Sequence, residues 1–308
     1  MNDHTYLLLP HLVVTNANAM NCAYATGFPA MTSFLGFGYC LTYKIPDFKF
    51  YGMGVIVHEA EFQSVQKAGK YTHTLKLKKA PLNEKGKSAS IIMKGYVHLD
   101  VSLVIECNYI PSTKQEHLRN EILPKLLTSM RLAGGDIHPI PRDEDGNYLK
   151  NRLPSFFLAS SEDDPTLKHL LMPGYAIISR IDLMDDIQKE GRGDALDRLL
   201  YALSSDAIPV RIEENTDGEK KAVYEYKRHF NGWFVPLAVG FHDLSGNLPV
   251  SYQRGSGKYE HHFVEPLMTL CEFKMPHRFD SIGDILWHYE YDEVHHNYLC
   301  INSKRKEA

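Results

Sequence analysis

Three asparagines, Asn16, Asn18 and Asn21, crowd one short stretch just after an apolar run, Leu7-Leu8-Leu9 and then Leu12-Val13-Val14. Each side-chain amide carries both a donor and an acceptor, the pair that base edges and sugar hydroxyls require. Gly27-Phe28-Pro29 follows. Proline suits the first turn of a helix, where its missing N–H would have no partner anyway. The stretch therefore reads as strand, asparagine loop, and helix from near Pro29. Free N–H groups at a helix start suit a phosphate. The same asparagines would equally serve only to shape a turn.

Lysine is the second signal. Between Lys67 and Lys94 there are eight lysines against one acid, Glu84, in a chain whose net charge is −4. A basic arm on an acidic body fits a polyanion, and it also fits a solvated face. Lys76, Lys78 and Lys79 are the candidate phosphate contacts, with Phe28, Tyr24 or Tyr71 as a surface on which a base could stack. A third candidate is Arg254-Gly255-Ser256-Gly257-Lys258. There glycine lets the backbone approach a phosphate and the flanking cations supply charge, although a plain hairpin loop reads the same way.

Other chemistries find little support. His58-Glu59-Ala60-Glu61 lacks the second histidine of a zinc-protease helix and lies in a strand pattern. The adjacent pairs His261-His262 and His295-His296 point to opposite faces if extended. No GxSxG and no phosphate-loop motif is present. Histidine, tyrosine and lysine can together cleave RNA without metal, but all three are too abundant to select a triad. The expectation is no catalytic set, no metal and no cofactor.

Elements must position these residues. Tyr6 to Val14 reads as a strand, Pro29 to Tyr43 as a helix and Phe48 to Phe62 as a strand. Tyr71 to Lys79 alternates with a basic face, Pro81 to Gly86 turns, and Ser88 to Asn108 is a long β-prone run. Together the last three suggest a protruding hairpin. A helix opens at Pro111-Ser112 and stops at Gly134-Gly135, with Pro124 as a kink. Asp136 to Ile140 completes the order β-α-β-β-α-β, that of a ferredoxin-like or RNA-recognition-type module whose sheet is a common platform for single-stranded RNA. Pro141 to Asn147 is the predicted boundary, giving one unit at 1–141 with a hairpin insertion at about 67–94, and a second at 142–308. In the second, Tyr175 to Ile181 and Phe263 to Phe273 read as strands, Tyr224 to Phe241 holds strand material around Gly232 to Pro236, and Glu213 to Lys221 reads as an acidic turn. Asp194 is the expected cap of a helix over Ala195 to Ser204, and Ser281 that of a short helix before a last strand.

At 308 residues, 44% hydrophobic and 23% charged, the composition is that of an ordinary globular protein. Its five cysteines (22, 40, 107, 271, 300) form no CxxC, which predicts reduced thiols in a cytoplasmic chain. No stretch reaches the ~18 apolar residues of a membrane span, and the N-terminal apolar run, broken by Pro10 and His11, does not read as a signal peptide.

Six blocks, in order, resemble one family: LLLPHLVVTNANAMN, GFPAMTSFLGF, HLDVSLVIEC, RLAGGDI, GWFVPLAVGF and HHFVEPLMTLCEF. It is the 5′-handle-binding subunit of the type I-F CRISPR surveillance (Csy) complex, within the RAMP superfamily, and the blocks span about Leu7 to Phe273. The resemblance implies an α+β fold: a ferredoxin-like core, a β-hairpin thumb and an elaborated mixed α/β C-terminal half. It implies a non-catalytic scaffold gripping the 5′ handle of the CRISPR RNA. Pairing with the large subunit and contact with the adjacent backbone subunit are implied too, and contact with target DNA near its flanking motif stays open. On this chain the asparagine loop and the Pro29 helix start would face the handle, the lysine hairpin would be the thumb, and Arg254 to Lys258 resembles the superfamily's glycine-rich loop. A metal-independent endoribonuclease of the same superfamily, processing CRISPR repeat RNA, is the alternative.

Overall fold

The structure is a computed structural model that describes residues 4–22, 25–69, 72–76, 82–87, 95–160, 164–214, 220–244 and 262–302. In chain order the elements are β1 (His4–Asn18), α1 (Met31–Lys44), β2 (Phe50–Phe62), β3 (Ser64–Gln66), β4 (His73–Leu75), β5 (Tyr96–Asn108), α2 (Ser112–His117) and α3 (Leu123–Ser129). Then come β6 (Arg131–Leu132), β7 (Gly135–Ile137), β8 (Ser155–Leu158), α4 (Asp164–Leu170), β9 (Tyr175–Ser179), α5 (Ile181–Lys189) and α6 (Ala195–Leu203). The last strands are β10 (Ser205–Glu214), β11 (Lys220–Arg228), β12 (Phe234–Asp243), β13 (Val264–Lys274), β14 (His288–Asp292) and β15 (Asn297–Ile301).

Eleven strands make one antiparallel sheet in the order β14-β15-β12-β13-β9-β2-β5-β1-β7-β6, with β8 also paired to β1. The centre, β2-β5-β1, is buried on both faces, which is why these segments carry continuous apolar runs and not strict alternation. On one face Leu7, Leu9, Val55, Val101, Leu103 and Ile105 pack with α1; on the other Tyr6, Leu8, Ile56 and Val104 meet α4 and the 282–286 turn. The sheet continues across residue 141, since β9 pairs with β2 and β8 with β1.

The sheet also curls back on itself. Met53 of β2 and Trp287, just before β14, exchange both backbone hydrogen bonds at 2.8 Å. Trp287 is fully buried and its indole N–H donates to the Ile177 carbonyl at 2.8 Å. Helix α1 lies inside the curl, touching β2, β6, β12 and β15. That enclosure matches a sequence apolar nearly all round, with Met31, Phe34, Leu35, Phe37 and Leu41 buried. Gly38 lets β2 come close: a Cβ there would run into the Phe50 ring and Met53.

Some expectations need revision. The predicted single helix after Pro111 is two short α-helices joined by a π turn at Leu118–Ile122, and Pro124 sits in the first turn of α3, where the lost N–H costs little. The strand material of Tyr224 to Phe241 is the end of β11 and most of β12, separated around Gly232. Of the predicted acidic turn, Glu213 and Glu214 end β10, a strand the sequence reading missed, Lys220 and Lys221 begin β11, and 215–219 lie outside the described residues. The Asp194 cap is present as a capping box: Asp194 accepts from the Asp197 N–H at 2.9 Å and Asp197 accepts in return. Ser281 caps its turn with Asp284 in the same way. No helix among the described residues is long and apolar enough to cross a membrane.

Candidate nucleic-acid interface

A register shift between Val14 and Ala17 puts an irregularity in β1, and Asn16 sits there with φ 58. Asparagine is one of the few residues that accept the left-handed region readily, so the sequence suits the bend. The Asn16 side chain turns to the hairpin root: Gln63 Nε2 donates to Asn16 Oδ1 at 2.9 Å and lies 2.9 Å from His98 Nε2. The Asn16 N–H is aimed at His98 Nδ1 at 3.3 Å. A neutral imidazole has one acceptor nitrogen, so these two donors compete for His98.

The other asparagines go elsewhere. Asn18 is exposed and closes its own turn, accepting from the Met20 N–H at 3.1 Å and donating to the Met20 carbonyl at 3.0 Å. Asn21 is buried, donates to the Pro236 carbonyl at 3.4 Å and leaves its Oδ1 without a partner. Phe28 corrects the sequence reading. It is 4% exposed, stacked on Phe34 at 5.3 Å and met edge-on by Phe273 at 5.7 Å, so its faces are taken by the core and it offers none to a base.

The hairpin leaves β2 through Gln63 into β3, which pairs with β4. Lys76 is exposed at the end of β4, and its N–H donates to the Gln63 carbonyl at 2.9 Å. Gln63 N–H in turn donates to the Tyr96 carbonyl at 2.9 Å, and Ala19 N–H to the Gly95 carbonyl at 3.0 Å. Hairpin root and asparagine bend therefore meet on the start of β5. Gly95 lies at the joint, where a Cβ would touch Leu75 of the hairpin and Met20 and Thr26 of the bend. Lys67, Lys85 and Lys87 are exposed as well. Lys78, Lys79, Tyr24, Tyr71 and the whole Arg254, Gly255, Ser256, Gly257, Lys258 loop lie outside the described residues.

Along β5, His98, Asp100 and Ser102 alternate onto the face away from α1. Next to them is a group that sequence spacing concealed. His11 Nδ1 is 3.0 Å from Asp100, whose carboxylate is 3.8 Å from Arg152 Nη1. Arg152 Nη1 donates to the His11 carbonyl at 3.1 Å. Ser102 accepts from the His11 N–H at 2.9 Å and lies 2.7 Å from His58 Nε2. His58 Nδ1 donates to the Pro173 carbonyl at 2.5 Å. Burial draws the His58 imidazole below its ordinary range, the Pro173 carbonyl opposing.

His11, His58 and Asp100 hold ligand-type atoms within 4.8 Å of one another, a histidine–carboxylate grouping that no sequence spacing shows. It was illegible because His11 and Asp100 are 89 positions apart. By type the set suits a zinc-like ion. By geometry it does not: the two imidazoles stack face to face at 3.9 Å, so their in-plane lone pairs do not converge, and both His58 nitrogens are engaged. As arranged it is a hydrogen-bond network that ties β1, β2 and β5 to the 152 and 173 loops.

The family described as CRISPR-associated protein (Cas_Csy2) matches residues 7–300, nearly the whole chain. The chain belongs to this family. Among its relatives is the CRISPR-associated protein Csy2 of Pseudomonas aeruginosa (strain UCBPP-PA14), 30% identical over 306 residues, covering 92% of this chain and 90% of that protein. Membership of the Csy2 family makes the chain a subunit of a type I-F Csy complex. The Csy2-family match includes the asparagine bend, the hairpin and the polar strip of β5 in one span.

Proposed function

We propose that this subunit is a non-catalytic RNA scaffold. It grips the 5′ handle of the CRISPR RNA between the lysine hairpin and the asparagine bend, and works in the cytoplasm for antiviral defence. It docks the large subunit as a heterodimer and meets the adjacent backbone subunit. Residues 1–141 serve as a ferredoxin-like module with the hairpin as its thumb, and 142–308 as the region packed on it. The strand order β2-β5-β1-β7, all antiparallel, supports that reading, because it is the order a βαββαβ chain takes in such a module.

The observation that carries the proposal is the joint at Gln63. Through it the cationic arm and the amide-rich bend share one root, so a strand of RNA held by one lies beside the other. Lys76, with Lys78 and Lys79, supplies phosphate contacts; Asn18, exposed at the bend and bonded twice to Met20, keeps one amide N–H and one oxygen lone pair for bases or sugars; Asn16 is held by Gln63.

The test is RNA affinity against salt, using the complex assembled by co-expression with its neighbouring reading frames. Lys76→Ala/Lys78→Ala/Lys79→Ala should weaken handle binding and flatten the log–log salt slope by about 2, at roughly 0.7 per neutralised phosphate of a single strand. An unchanged slope removes the arm from the reading. Metal-independent cleavage is a second reading, favoured by two imidazoles beside Arg152. Against it, both His58 nitrogens are bound and His11 gives Nδ1 to Asp100, which leaves no open acid–base pair. Repeat RNA incubated with the protein in EDTA decides: product bands support cleavage, intact RNA the scaffold.

A further inference from the structure

Strands β10 and β11 form a two-stranded antiparallel sheet that pairs with no other strand among the described residues. Such a ribbon is marginal alone. Its root is fastened by stacking: Tyr201 of α6 lies on His229 at 3.9 Å, and Arg192 lies over the Tyr201 ring at 3.9 Å.

The two faces differ. Alternation along β11 puts Ala222, Tyr224, Tyr226 and Arg228 on one face. The register sets Tyr226 opposite Ala207 and Tyr224 opposite Pro209, small or flat neighbours that leave the rings uncovered. Tyr224 is 50% exposed and Tyr226 71%. On the other face Lys227 stands opposite Asp206 in the register. Charge is also split between the strands. β11 carries Lys220, Lys221, Lys227 and Arg228 against Glu225, whereas β10 carries Asp206, Glu213 and Glu214 against Arg211. The two open tyrosines thus belong to the cationic strand.

We propose that this face is a second nucleic-acid contact, taking two successive bases of a single strand on Tyr224 and Tyr226, with their phosphates along β11. Residues two apart on a strand are roughly 7 Å apart, about twice the 3.4 Å step of stacked bases. Two bases pulled apart match that spacing and a duplex stack does not. Ile208, Val210 and Ile212 of β10 are exposed as well, so a protein is the rival occupant; the two rings on the cationic strand, with exposed Arg228 on their own face, favour a nucleic acid. The contact uses neither the bend nor the hairpin, so it stands or falls separately from the handle-gripping reading.

The test titrates the co-expressed complex and the full chain with labelled twelve-nucleotide single-stranded RNA, the same sequence as DNA, and its duplex. Tyr224→Ala/Tyr226→Ala should weaken single strands about tenfold or more, while Tyr224→Phe/Tyr226→Phe keeps them within about twofold and the duplex is insensitive. The RNA and DNA arms show which strand the site takes. The loss should persist in the Lys76/Lys78/Lys79→Ala background, which separates this contact from the hairpin. Unchanged single-strand affinity in the alanine pair overturns the proposal. So does ultraviolet crosslinking that joins Tyr224 or Tyr226 to a protein and never to a nucleotide.

Discussion

Gln63 bonds Asn16 with its side chain, at 2.9 Å, and Lys76 with its backbone carbonyl, also at 2.9 Å. One residue thus fixes both the bend and the arm root. Gln63→Leu keeps the backbone bond and deletes the amide, so Asn16 loses its side-chain donor. RNA affinity of the complex should fall while the salt slope stays at the wild-type value, because no phosphate contact is removed. Stability should drop by about 1 kcal/mol, the lower end for a lost hydrogen bond at a half-buried site. A changed slope with unchanged affinity would mean that Gln63 acts on the lysines alone.

Trp287 predicts a larger stability effect. Its ring is fully buried and its indole N–H bonds the Ile177 carbonyl. Trp287→Ala should cost ~3–5 kcal/mol from the lost burial and the cavity left behind. Trp287→Phe should cost less but leave the Ile177 carbonyl short of a donor, about 1–3 kcal/mol. Urea unfolding of the wild type and the two variants gives the comparison; a Trp287→Phe midpoint equal to that of the wild type would show that the indole bond contributes nothing.

Acidification should weaken the fold through His58. Burial depresses its folded-state pKa, with Arg152 and His11 adding to the effect and Asp100 opposing it. The folded state therefore binds the proton less well than the unfolded chain does. The contribution is complete above the ordinary histidine value of about 6.5 and is lost as pH falls below it toward the depressed folded value. Melting temperatures at pH 7.5 and 5.5 should diverge more for the wild type than for His58→Gln. A parallel fall in both would assign the acid sensitivity elsewhere.

Thiol chemistry should be selective. Cys40 is exposed, whereas Cys22, Cys107, Cys271 and Cys300 are buried. Burial pushes the Cys107 and Cys300 thiols up to about 12 and Cys271 up further. Native alkylation followed by mass spectrometry should find one fast adduct, on Cys40, and the other four only in denaturant. Rapid labelling of Cys107 would contradict the packing of β5 against β1.

The readable parts of the sequence were those with a local cause. Val97, Leu99 and Val101 alternate with His98 and Asp100, and the strand follows. Asp194 and Asp197 stand three apart, and their capping box follows. Phe28 misled because Gly27 and Pro29 mark a turn, while the rings that cover it, Phe34 and Phe273, are set by tertiary packing. The charges from Glu213 to Lys221 read as turn, so β10 went unseen; Pro209 sits opposite Tyr224 in it. Asn16 was legible as a polar bend residue, but its bond to Gln63 was not, nor was the convergence of His11, His58 and Asp100. Those depend on which strands become neighbours.

The Met53–Trp287 bridge also bears on how the chain is made. β2 emerges early in synthesis, yet the residue that seals its end arrives near the finish. Until then the wall around α1 is missing a panel, and Phe34, Phe37 and Met53 have an incomplete enclosure. Nascent chains stalled short of Trp287 should therefore be open to protease and to apolar dyes, with protection gained in one late step once the C-terminal strands clear the ribosome.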